Sequence, residues 1–328
     1  MQSAEVGESK PFQHITVLLR EVVAAVERAA SLCTSEPLWV VDCTLGGGGH
    51  SEAILQALPL VHVLGLDRDP AALQAASERL APFGERFVCE HADFAQLQQV
   101  CERRQLPPLL AVVADLGVSS HQFDRAERGF SLRLDGPLDM RMDPSRGPTA
   151  LDLLGDIKLE DLADVLYAYG DIQRSIGTAR ILLEEVHAGA VTTGKLADRL
   201  AARLGRTRSI HPATQVFQAL RVWVNGELDQ IEALLQQAPG LLAPGGALAV
   251  ISFQSGEDRP VKRAMAELGK RGGDFWLPQR KPVLPGEQEQ QQNSRSRSAK
   301  LRVMHKKTLD ETVPEQPDSD SEDDADES

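Results

Sequence analysis

A glycine-rich stretch near the start of the chain, VVDCTLGGGGHSEAIL at 40–55, constrains the fold more than any other feature. Apolar residues run into Asp42, four consecutive glycines follow at 46–49, and a helix-like run begins at Ser51. This order predicts a strand, a tight turn and a helix. Glycines let a ligand approach the backbone, and a helix start offers unpaired N–H groups and a positive dipole end. The stretch is typical of a nucleotide-type cofactor site, although a glycine run can also be a plain flexible turn.

Strands and helices alternate along both ends of the chain. Further strands are predicted at 61–67, 86–94, 109–117, 244–253 and 301–306. Helical spacing of apolar residues predicts helices at 14–30, 94–104 and, as one long helix, 211–239. Because the strand cores are nearly continuously apolar, we expect a parallel, doubly wound α/β sheet.

The alternation stops between Phe123 and about Ala213, where an arginine- and aspartate-rich loop precedes several helical patterns. We interpret this region as a helical domain inserted into the sheet domain. The Gln- and Ser-rich piece 286–298 is expected to be a mobile loop. From Thr308 onward there are ten acidic residues and no Lys or Arg, so much of the net charge of −13 lies in a tail that we expect to be disordered.

Composition excludes several classes of protein. No apolar stretch approaches the length of a membrane-spanning helix, and the first residues lack the basic and apolar regions of a signal peptide. We therefore expect a cytoplasmic protein with no membrane partner. The four cysteines show no C-x-x-C pairing, which favours small core residues over a disulfide framework or a metal site.

Acidic residues follow several of the predicted strands. In an open parallel sheet, ligands bind at the carboxyl ends of the strands, near the point where strand order reverses. Asp67 lies about 20 residues beyond the glycine turn, where an acidic residue hydrogen-bonds ribose hydroxyls. Asp69 is better placed to cap the next helix, whose first turn would hold Pro70.

Two cofactors suit this arrangement, a dinucleotide or S-adenosylmethionine. The dinucleotide fingerprint G-x-G-x-x-G would need Gly46, Gly48 and a glycine at position 51, which is Ser51. Glycine spacing alone does not decide between the two. The segment ADLGVSSHQFDRAERGFSLRLDGPLDMRMD at 114–143, together with the helical insertion, favours the methyl donor.

Several blocks in order make the resemblance specific. They are HITVLLREVV, DCTLGGGGHSEAIL, GLDRDP, the segment at 114–143, HPATQVFQALRVWVN, LAPGGALAVISF with EDR, and NSRSRSAKLRV. Over residues 14 to about 305 the chain resembles the bacterial ribosomal small subunit methyltransferase H (MraW) family. The resemblance implies an α/β fold: a class I, Rossmann-like, S-adenosylmethionine-dependent methyltransferase sheet domain with an inserted all-helical domain.

The resemblance also implies a division of the chain, a substrate and a set of partners. The methyltransferase domain would span 1–122 and 214–307, the insertion 123–213, and the disordered acidic tail 308–328. The expected reaction is methylation of the N4 amine of a cytidine in 16S ribosomal RNA within assembled or near-assembled small subunits. A homodimer is kept open. The alternatives are a non-catalytic RNA or ribosome-assembly binder and a dinucleotide-dependent oxidoreductase.

The family's cofactor contacts fall on positions of this sequence that agree with the strand-end acids. They are Gly48, Gly49, His50, Asp67, Phe94, Asp115 and Gln122. His50 could equally be a helix-start residue that hydrogen-bonds the loop, and Phe94 could be part of the core. For the cytidine side, we consider Asp139, Met140, Arg141 and Asn225, against a structural turn with an internal Asp–Arg pair.

Catalysis requires that the amine be aligned, hydrogen-bonded and relieved of a proton. We expect Asp115, Ser119 and Ser120 to hold the amine, with Asp115 shared between cofactor and substrate. No essential cysteine is expected, because transfer is direct. The block SFQSGEDR departs from the family's SFHSLEDR at Gln254 and Gly256. Gln254 cannot act as an acid or a base.

RNA would be held by arginines and lysines around the sheet edge. The candidates are Arg128, Arg133, Arg141, Arg146, Arg199, Arg203, Arg206, Arg208 and the basic runs at 259–281 and 295–307.

Overall fold

The computed structural model describes residues 16–34, 36–205, 211–270 and 273–308. The strands are β1 (Leu38–Asp42), β2 (Val61–Asp67), β3 (Phe87–His91), β4 (Leu109–Asp115), β5 (Leu242–Ser252), β6 (Phe275–Trp276) and β7 (Lys300–Lys306). They form one sheet in the order β3-β2-β1-β4-β5-β7-β6. Strands β1 to β5 are mutually parallel, whereas β7 runs antiparallel to both β5 and β6. Strand order therefore reverses between β1 and β4.

Helices flank this sheet and form the insertion. Those of the sheet domain are α1 (Leu19–Leu32), α2 (Gly49–Ala57), α3 (Pro70–Leu80) and α4 (Leu97–Arg103). The central helices are α5 (Ser120–Phe123), α6 (Ala150–Asp156), α7 (Leu159–Gly170), α8 (Ser175–His187), α9 (Thr193–Leu204) and α10 (Thr214–Asn225). The later ones are α11 (Glu227–Leu241), α12 (Ser255–Leu268) and α13 (Glu287–Gln292). None of the helices in the described residues is long and apolar enough to cross a membrane.

The sheet is buried on both faces, as its apolar strands predict. One core packs α4, α11 and α12 against one face, and a second core packs α1, α2 and α3 against the other. Alternate residues of β4 divide between the cores: Val112 faces the first and Val113 the second. This two-sided burial fixes the ends of β1 and β4, where the sequence places Asp42 and Asp115. The α/β fold class is confirmed, but the expectation of a wholly parallel sheet is wrong, because β7 at its edge runs antiparallel.

The insertion has a hydrophobic core of its own. It joins Leu154 of α6, Leu166 of α7, Leu182 of α8 and Leu200 of α9. Helix α10 belongs to the same core through Phe217 and its neighbours. The domain boundaries at 122, 213 and 307 stay predictions, and the packing of α10 favours a boundary after this helix. The tail beyond residue 308 lies outside the described residues, and so does the disorder expected for it.

The single long helix predicted over 211–239 is wrong. Two helices, α10 and α11, meet at Gly226, whose φ of 58° is left-handed. A glycine adopts that conformation without steric cost and ends α10, while the apolar spacing continues across the break and conceals it.

The mobile loop predicted at 286–298 is also wrong. Helix α13 and a 3₁₀ helix at Ser294–Ser298 occupy it, and Ser296 is fully buried. The Glu289 side chain accepts a hydrogen bond from the backbone N–H of Leu18, at the start of α1 (2.9 Å). Glu and Gln are good helix formers, so low sequence complexity is a poor guide here. The first predicted helix begins later than expected, at Leu19, and residues 14 and 15 lie outside the described residues.

Candidate active site

A cleft of about 910 Å³ opens at the carboxyl ends of β1 and β4, where strand order reverses. Its walls come from three parts of the chain: the strand-end loops of the sheet, the insertion loop at 130–134, and the segment at 293–298. Ligands of open parallel sheets bind at this kind of switch point. The topology therefore gathers the strand-end residues into one site.

The glycine loop is the wall at the end of β1. The backbone N–H of Gly46 donates to Asp67 Oδ2 (2.7 Å), and the N–H of Asp69 donates to Asp67 Oδ1 (2.8 Å). A Cβ on Gly49 would overlap the Thr16 side chain, so only glycine fits beneath this contact. Burial raises the pKa of Asp67 to about 6, against these two hydrogen bonds. Asp67 thus shapes the loop while it also faces the cleft.

His50 is buried in the first turn of α2. Its Nε2 lies 3.0 Å from the carbonyl oxygen of Val17, so Nε2 carries the proton and donates. Its Nδ1 faces Asp115 Oδ2 at 4.0 Å. The structure is compatible with both roles considered for His50. The residue links the glycine loop to the start of α1 through the Val17 carbonyl, and it also lines the cleft.

Asp115 ends β4 on the floor of the cleft. Its backbone N–H donates to Thr44 Oγ1 (2.6 Å), which fixes the end of β4 against the turn after β1. Its Oδ1 is buried and has no hydrogen-bond partner among the described residues. Burial, together with the charges of Asp42 and Glu257, raises the pKa of Asp115 to about 8. A buried acceptor without a donor marks a place where a ligand is expected to supply one.

A buried charge cluster that the sequence interpretation missed lies beside Asp115. Arg221 of α10 donates through Nε and Nη2 to both carboxylate oxygens of Glu227 (2.7 and 2.8 Å). Arg221 Nη2 also reaches Glu257 Oε1 (3.1 Å), and all three residues line the cleft. Burial raises the pKa of Glu257 despite the guanidinium. The signal in the sequence was an arginine next to Leu220 and four residues after Phe217, within an otherwise apolar stripe.

Glu257 also fixes the loop after β5. Its Oε2 accepts the backbone N–H groups of Phe253 (2.9 Å) and Gln254 (3.2 Å) at the start of α12. The neighbouring Asp258 pairs with Arg302 of β7 at 2.7 Å. The EDR block therefore links α12 to the cleft through its first residue and to the antiparallel strand through its second. Gln254 lines the cleft, where it has no titratable group to offer.

The insertion loop is tied to the sheet at Asp69. This residue caps α3 by accepting the N–H of Ala71 (3.0 Å), as the sequence predicts. Its Oδ2 accepts Arg128 Nη1 (2.7 Å) and Gln122 Nε2 (2.8 Å). Gln122 lines the cleft, but its amide is used by Asp69 and by the N–H of Ser119. The geometry thus gives Gln122 a positioning role, and a direct contact with a cofactor stays a prediction.

The cleft brings together most of the predicted site residues. Those that line it are Gly49, His50, Asp67, Phe94, Asp115, Ser119, Gln122 and Met140. Gly48 is instead the left-handed N-cap of α2 and packs against Leu80. Helix α5 begins at Ser120, whose side chain lies outside the described part of the structure.

The residues predicted for the cytidine side form a structural turn. Asp139 and Arg141 pair with each other through two hydrogen bonds (2.8 and 2.7 Å), and neither lines the cleft. The Asn225 amide donates to the Met140 carbonyl and accepts the N–H of Met142, both at 2.7 Å. The alternative of an internal Asp–Arg pair therefore describes this geometry. Only Met140, at a left-handed φ of 61°, reaches the cleft wall.

Seven of the arginines predicted to hold RNA form ion pairs within the described part of the chain. The pairs are Arg128–Asp69, Arg141–Asp139, Arg146–Asp143, Arg199–Glu185, Arg203–Glu184, Arg295–Asp124 and Arg302–Asp258. Arg206 and Arg208 lie outside the described residues. Arg133 is exposed at the cleft wall and forms no ion pair with any described residue.

The cleft fits S-adenosylmethionine. Its glycine loop leaves no room for a Cβ at Gly49, and Asp67, Phe94 and Asp115 face the same space. A cationic sulfonium stabilises the ionised form of the buried carboxyls on the floor, whereas the negative charge of a pyrophosphate opposes their ionisation. Gly49, His50, Asp67 and Phe94 are the residues placed to hold such a donor.

The sheet order, with its antiparallel β7, and the cleft at the β1–β4 switch define a class I, S-adenosylmethionine-dependent methyltransferase. The model of the MraW methylase family matches residues 11–307. The chain therefore belongs to the MraW methylase family, and the resemblance read from the sequence is confirmed.

Curated relatives extend over nearly the whole chain. "Ribosomal RNA small subunit methyltransferase H" of Sorangium cellulosum is 47% identical over 295 residues, covering 89% of this chain and 90% of that protein. The protein of the same name from Synechococcus elongatus is 45% identical over 304 residues, covering 92% and 97%. Among solved structures, an rRNA methylase from Streptococcus thermophilus aligns at a TM-score of 0.39 and 14% identity, covering 90% of this chain and 99% of that one.

Proposed function

We propose that this chain methylates the exocyclic N4 amine of a cytidine in 16S ribosomal RNA, with assembled or near-assembled small subunits as its substrate. The observation that carries the proposal is the buried, unpartnered Oδ1 of Asp115, beside the glycine loop at the switch point of the sheet. The names of the relatives support a substrate in small-subunit ribosomal RNA. The amine as acceptor rests on the chemistry of Asp115.

An exocyclic amine is a weak nucleophile because its lone pair is delocalised into the ring. Bound S-adenosylmethionine supplies a methyl group that moves directly from a cationic sulfur to such a nitrogen. Asp115 Oδ1 accepts a hydrogen bond from the amine N–H and so raises the electron density on nitrogen. A carboxylate whose pKa is about 8 is basic enough, once ionised, to take up the proton that the amine loses. The backbone carbonyls at 115–119 and the hydroxyls of Ser119 and Ser120 are the further acceptors we propose.

Structured RNA must present the target nucleotide unpaired or extruded before the cleft can grip it. The cleft has room for a base beside a cofactor, since its wall reaches from the glycine loop to the segment at 293–298. Arg133 is available for a phosphate at its edge. With such a substrate we propose a cytoplasmic location for the protein, and a homodimer stays a prediction.

The test is methyl transfer from labelled S-adenosylmethionine to small subunits isolated from a strain that lacks the gene. Mass mapping then identifies the modified base. We expect one methyl group on the N4 atom of one cytidine. Label on another base, or on ribose, would contradict the N4 assignment.

Two controls separate the alternatives. Asp115→Asn is expected to bind subunits but to transfer little label. A chain that binds subunits and S-adenosylmethionine yet never transfers label would be a non-catalytic binder. Calorimetry with NAD and S-adenosylmethionine side by side tests the remaining oxidoreductase alternative, for which we expect no NAD binding.

A further inference from the structure

We infer that Gly117, Arg221 and Phe253 form the subsite that receives the target base, and that Arg221 Nη1 selects cytosine by donating to its ring N3. The inference rests on the proposed function and names the residue that would set its base specificity. The three residues come from three different elements, the loop after β4, helix α10 and the loop after β5. All three line the cleft.

Gly117 leaves a gap between the other two side chains. A Cβ built on it would lie 3.9 Å from Phe253 Cδ2 and 4.0 Å from Arg221 Nη1. Its φ of +102° is one that residues with a side chain rarely adopt. The open space between an aromatic ring and a guanidinium therefore depends on glycine at this position. It lies two residues beyond Asp115, where the amine is to be held.

Arg221 has one nitrogen to offer. Its Nε and Nη2 are occupied by Glu227 and Glu257, while Nη1 donates to no described residue. Two buried carboxylates keep the guanidinium in place and charged, and its pKa is raised even though burial acts in the opposite direction. Nη1 is thus a donor in a fixed position, because the other two nitrogens of the planar guanidinium are bound by Glu227 and Glu257. Such a donor suits an acceptor on the substrate.

The Watson–Crick edge of cytosine matches this pair of protein groups. Cytosine presents the N4 amine as a donor next to N3 as an acceptor. Asp115 Oδ1 accepts from the first, and Arg221 Nη1 donates to the second. Uracil reverses both, with an O4 acceptor and an N3–H donor. A uracil would place N–H against guanidinium and oxygen against carboxylate, and buried polar groups left unpaired in this way discriminate strongly.

Phe253 is expected to provide stacking area for the base but not to discriminate between bases. Its ring borders the gap, and the Phe253 backbone is fixed by Glu257, the residue that also holds Arg221. Aromatic rings stack on any base, so this side chain is expected to strengthen binding without reading the edge. Glu257 is then a positioning residue for both walls of the subsite.

The test measures binding, so it does not depend on methyl transfer. The full-length protein saturated with S-adenosylhomocysteine is titrated with the 5′-monophosphates of cytidine, uridine and 3-deazacytidine, which has C–H in place of N3. Loss of a hydrogen bond to a charged group is expected to weaken uridine and 3-deazacytidine binding by about 10-fold or more relative to cytidine. Equal affinity for all three, or binding of none, would overturn the inference.

Variants separate reading from stacking. Arg221→Lys keeps the charge for the two glutamates but loses the third nitrogen of the fork, so the preference for cytidine is expected to fall to about threefold or less. Phe253→Leu is expected to weaken all three nucleotides alike, by about 10-fold. Arg103→Gln is the matched control, since Arg103 pairs with Glu90 outside the cleft. An unchanged preference in Arg221→Lys would contradict the assignment.

The outcomes also separate this inference from the proposed function. If the protein prefers cytidine monophosphate but transfers no methyl group to small subunits, the subsite is supported and the proposed function is contradicted. If it methylates a cytidine but binds the three nucleotides equally, the proposed function is supported and the subsite is contradicted. If Arg221→Lys fails to fold, the comparison of the three nucleotides on the unaltered protein still decides.

Discussion

Arg128 Nη1 donates to Asp69 Oδ2 at 2.7 Å, and this ion pair is buried on both sides. Asp69 caps α3 in the sheet domain, whereas Arg128 belongs to the loop that leads into the insertion. Arg128 Nη2 further donates to the carbonyl oxygens of Arg141 and Met142 (3.1 and 2.8 Å). One guanidinium therefore orders the loop and fixes it to the sheet next to the cofactor side of the cleft.

Replacing Arg128 by Met is expected to destabilise the protein by about 3 to 5 kcal/mol, because the buried Asp69 carboxylate loses its positive partner and two carbonyl oxygens lose a donor. Denaturant unfolding measures the free energy of unfolding. Arg133→Ala, in the exposed part of the same loop, is the control and is expected to change stability by less than about 0.5 kcal/mol. Equal stability of the two variants would contradict a structural role for the pair.

This pair shows why the sequence alone does not reveal which arginines already have an acidic partner. Arg128 and Asp69 are 59 residues apart, so no local pattern reveals that the charge is already satisfied. The same holds for the pairing of Arg295 with Asp124 across the cleft mouth. A run of basic residues shows charge but not its partners, and the partners are set by tertiary packing. Which of these arginines contact RNA stays a prediction.

Patterns with a local physical cause were predicted well. The presence of the buried strands β1 to β5, the cap at Asp69 with Pro70 behind it, and the glycine turn follow from hydrophobicity and backbone geometry alone, although the strands predicted at 86–94 and 109–117 end earlier, at His91 and Asp115. The break at Gly226 was missed because the apolar period continues across it. Arg221 was passed over because one charge in an apolar stripe gains its meaning only when Glu227 and Glu257 converge on it.

Arg133 is expected to be a phosphate contact. Its guanidinium is exposed at the cleft wall and forms no ion pair with the part of the chain that the structure describes. Arg133→Ala should weaken binding to small subunits and reduce the slope of log K against log salt by about 1. Affinities at several salt concentrations measure that slope. An Arg146→Ala protein, in which the lost arginine is paired with Asp143, should show a smaller change in slope.

Gly49→Ala is expected to weaken S-adenosylmethionine binding by about 10-fold or more, because its Cβ would push the Thr16 side chain away and distort the loop. Calorimetric titration with the cofactor measures the effect. Thr16→Ala in the same chain removes the overlapping hydroxyl and should restore part of the affinity. Gly177→Ala, on the exposed side of α8 with open space around it, should leave cofactor binding unchanged and raise stability slightly.

Asp115→Asn should separate stability from activity. The folded carboxyl has a pKa of about 8, raised chiefly by burial, against an ordinary value of 3.8. Between these values the folded protein keeps a proton that the unfolded chain has lost, so stability falls as pH rises from about 4 to 8. Asn does not ionise, so the variant does not lose stability over this pH range. The variant should gain about 1 to 3 kcal/mol over the unaltered protein at pH 8, discounted for partial exposure, and nothing below pH 4.

The methyl-transfer rate should change in the opposite direction to stability, both with pH and in Asp115→Asn. Only the ionised carboxyl can take up the amine proton, so the methyl-transfer rate should rise through pH 8 in the unaltered protein and be at least about 100-fold lower and flat with pH in Asp115→Asn. Asp143→Asn provides a control of opposite sign. Burial acts to raise the pKa of Asp143, but hydrogen bonds from Ser145 and contact with His91 bring it below the ordinary value. Replacing the Asp143 carboxylate by an amide should therefore lower the free energy of unfolding at neutral pH. A higher free energy of unfolding in Asp143→Asn would contradict this account of the two carboxyls.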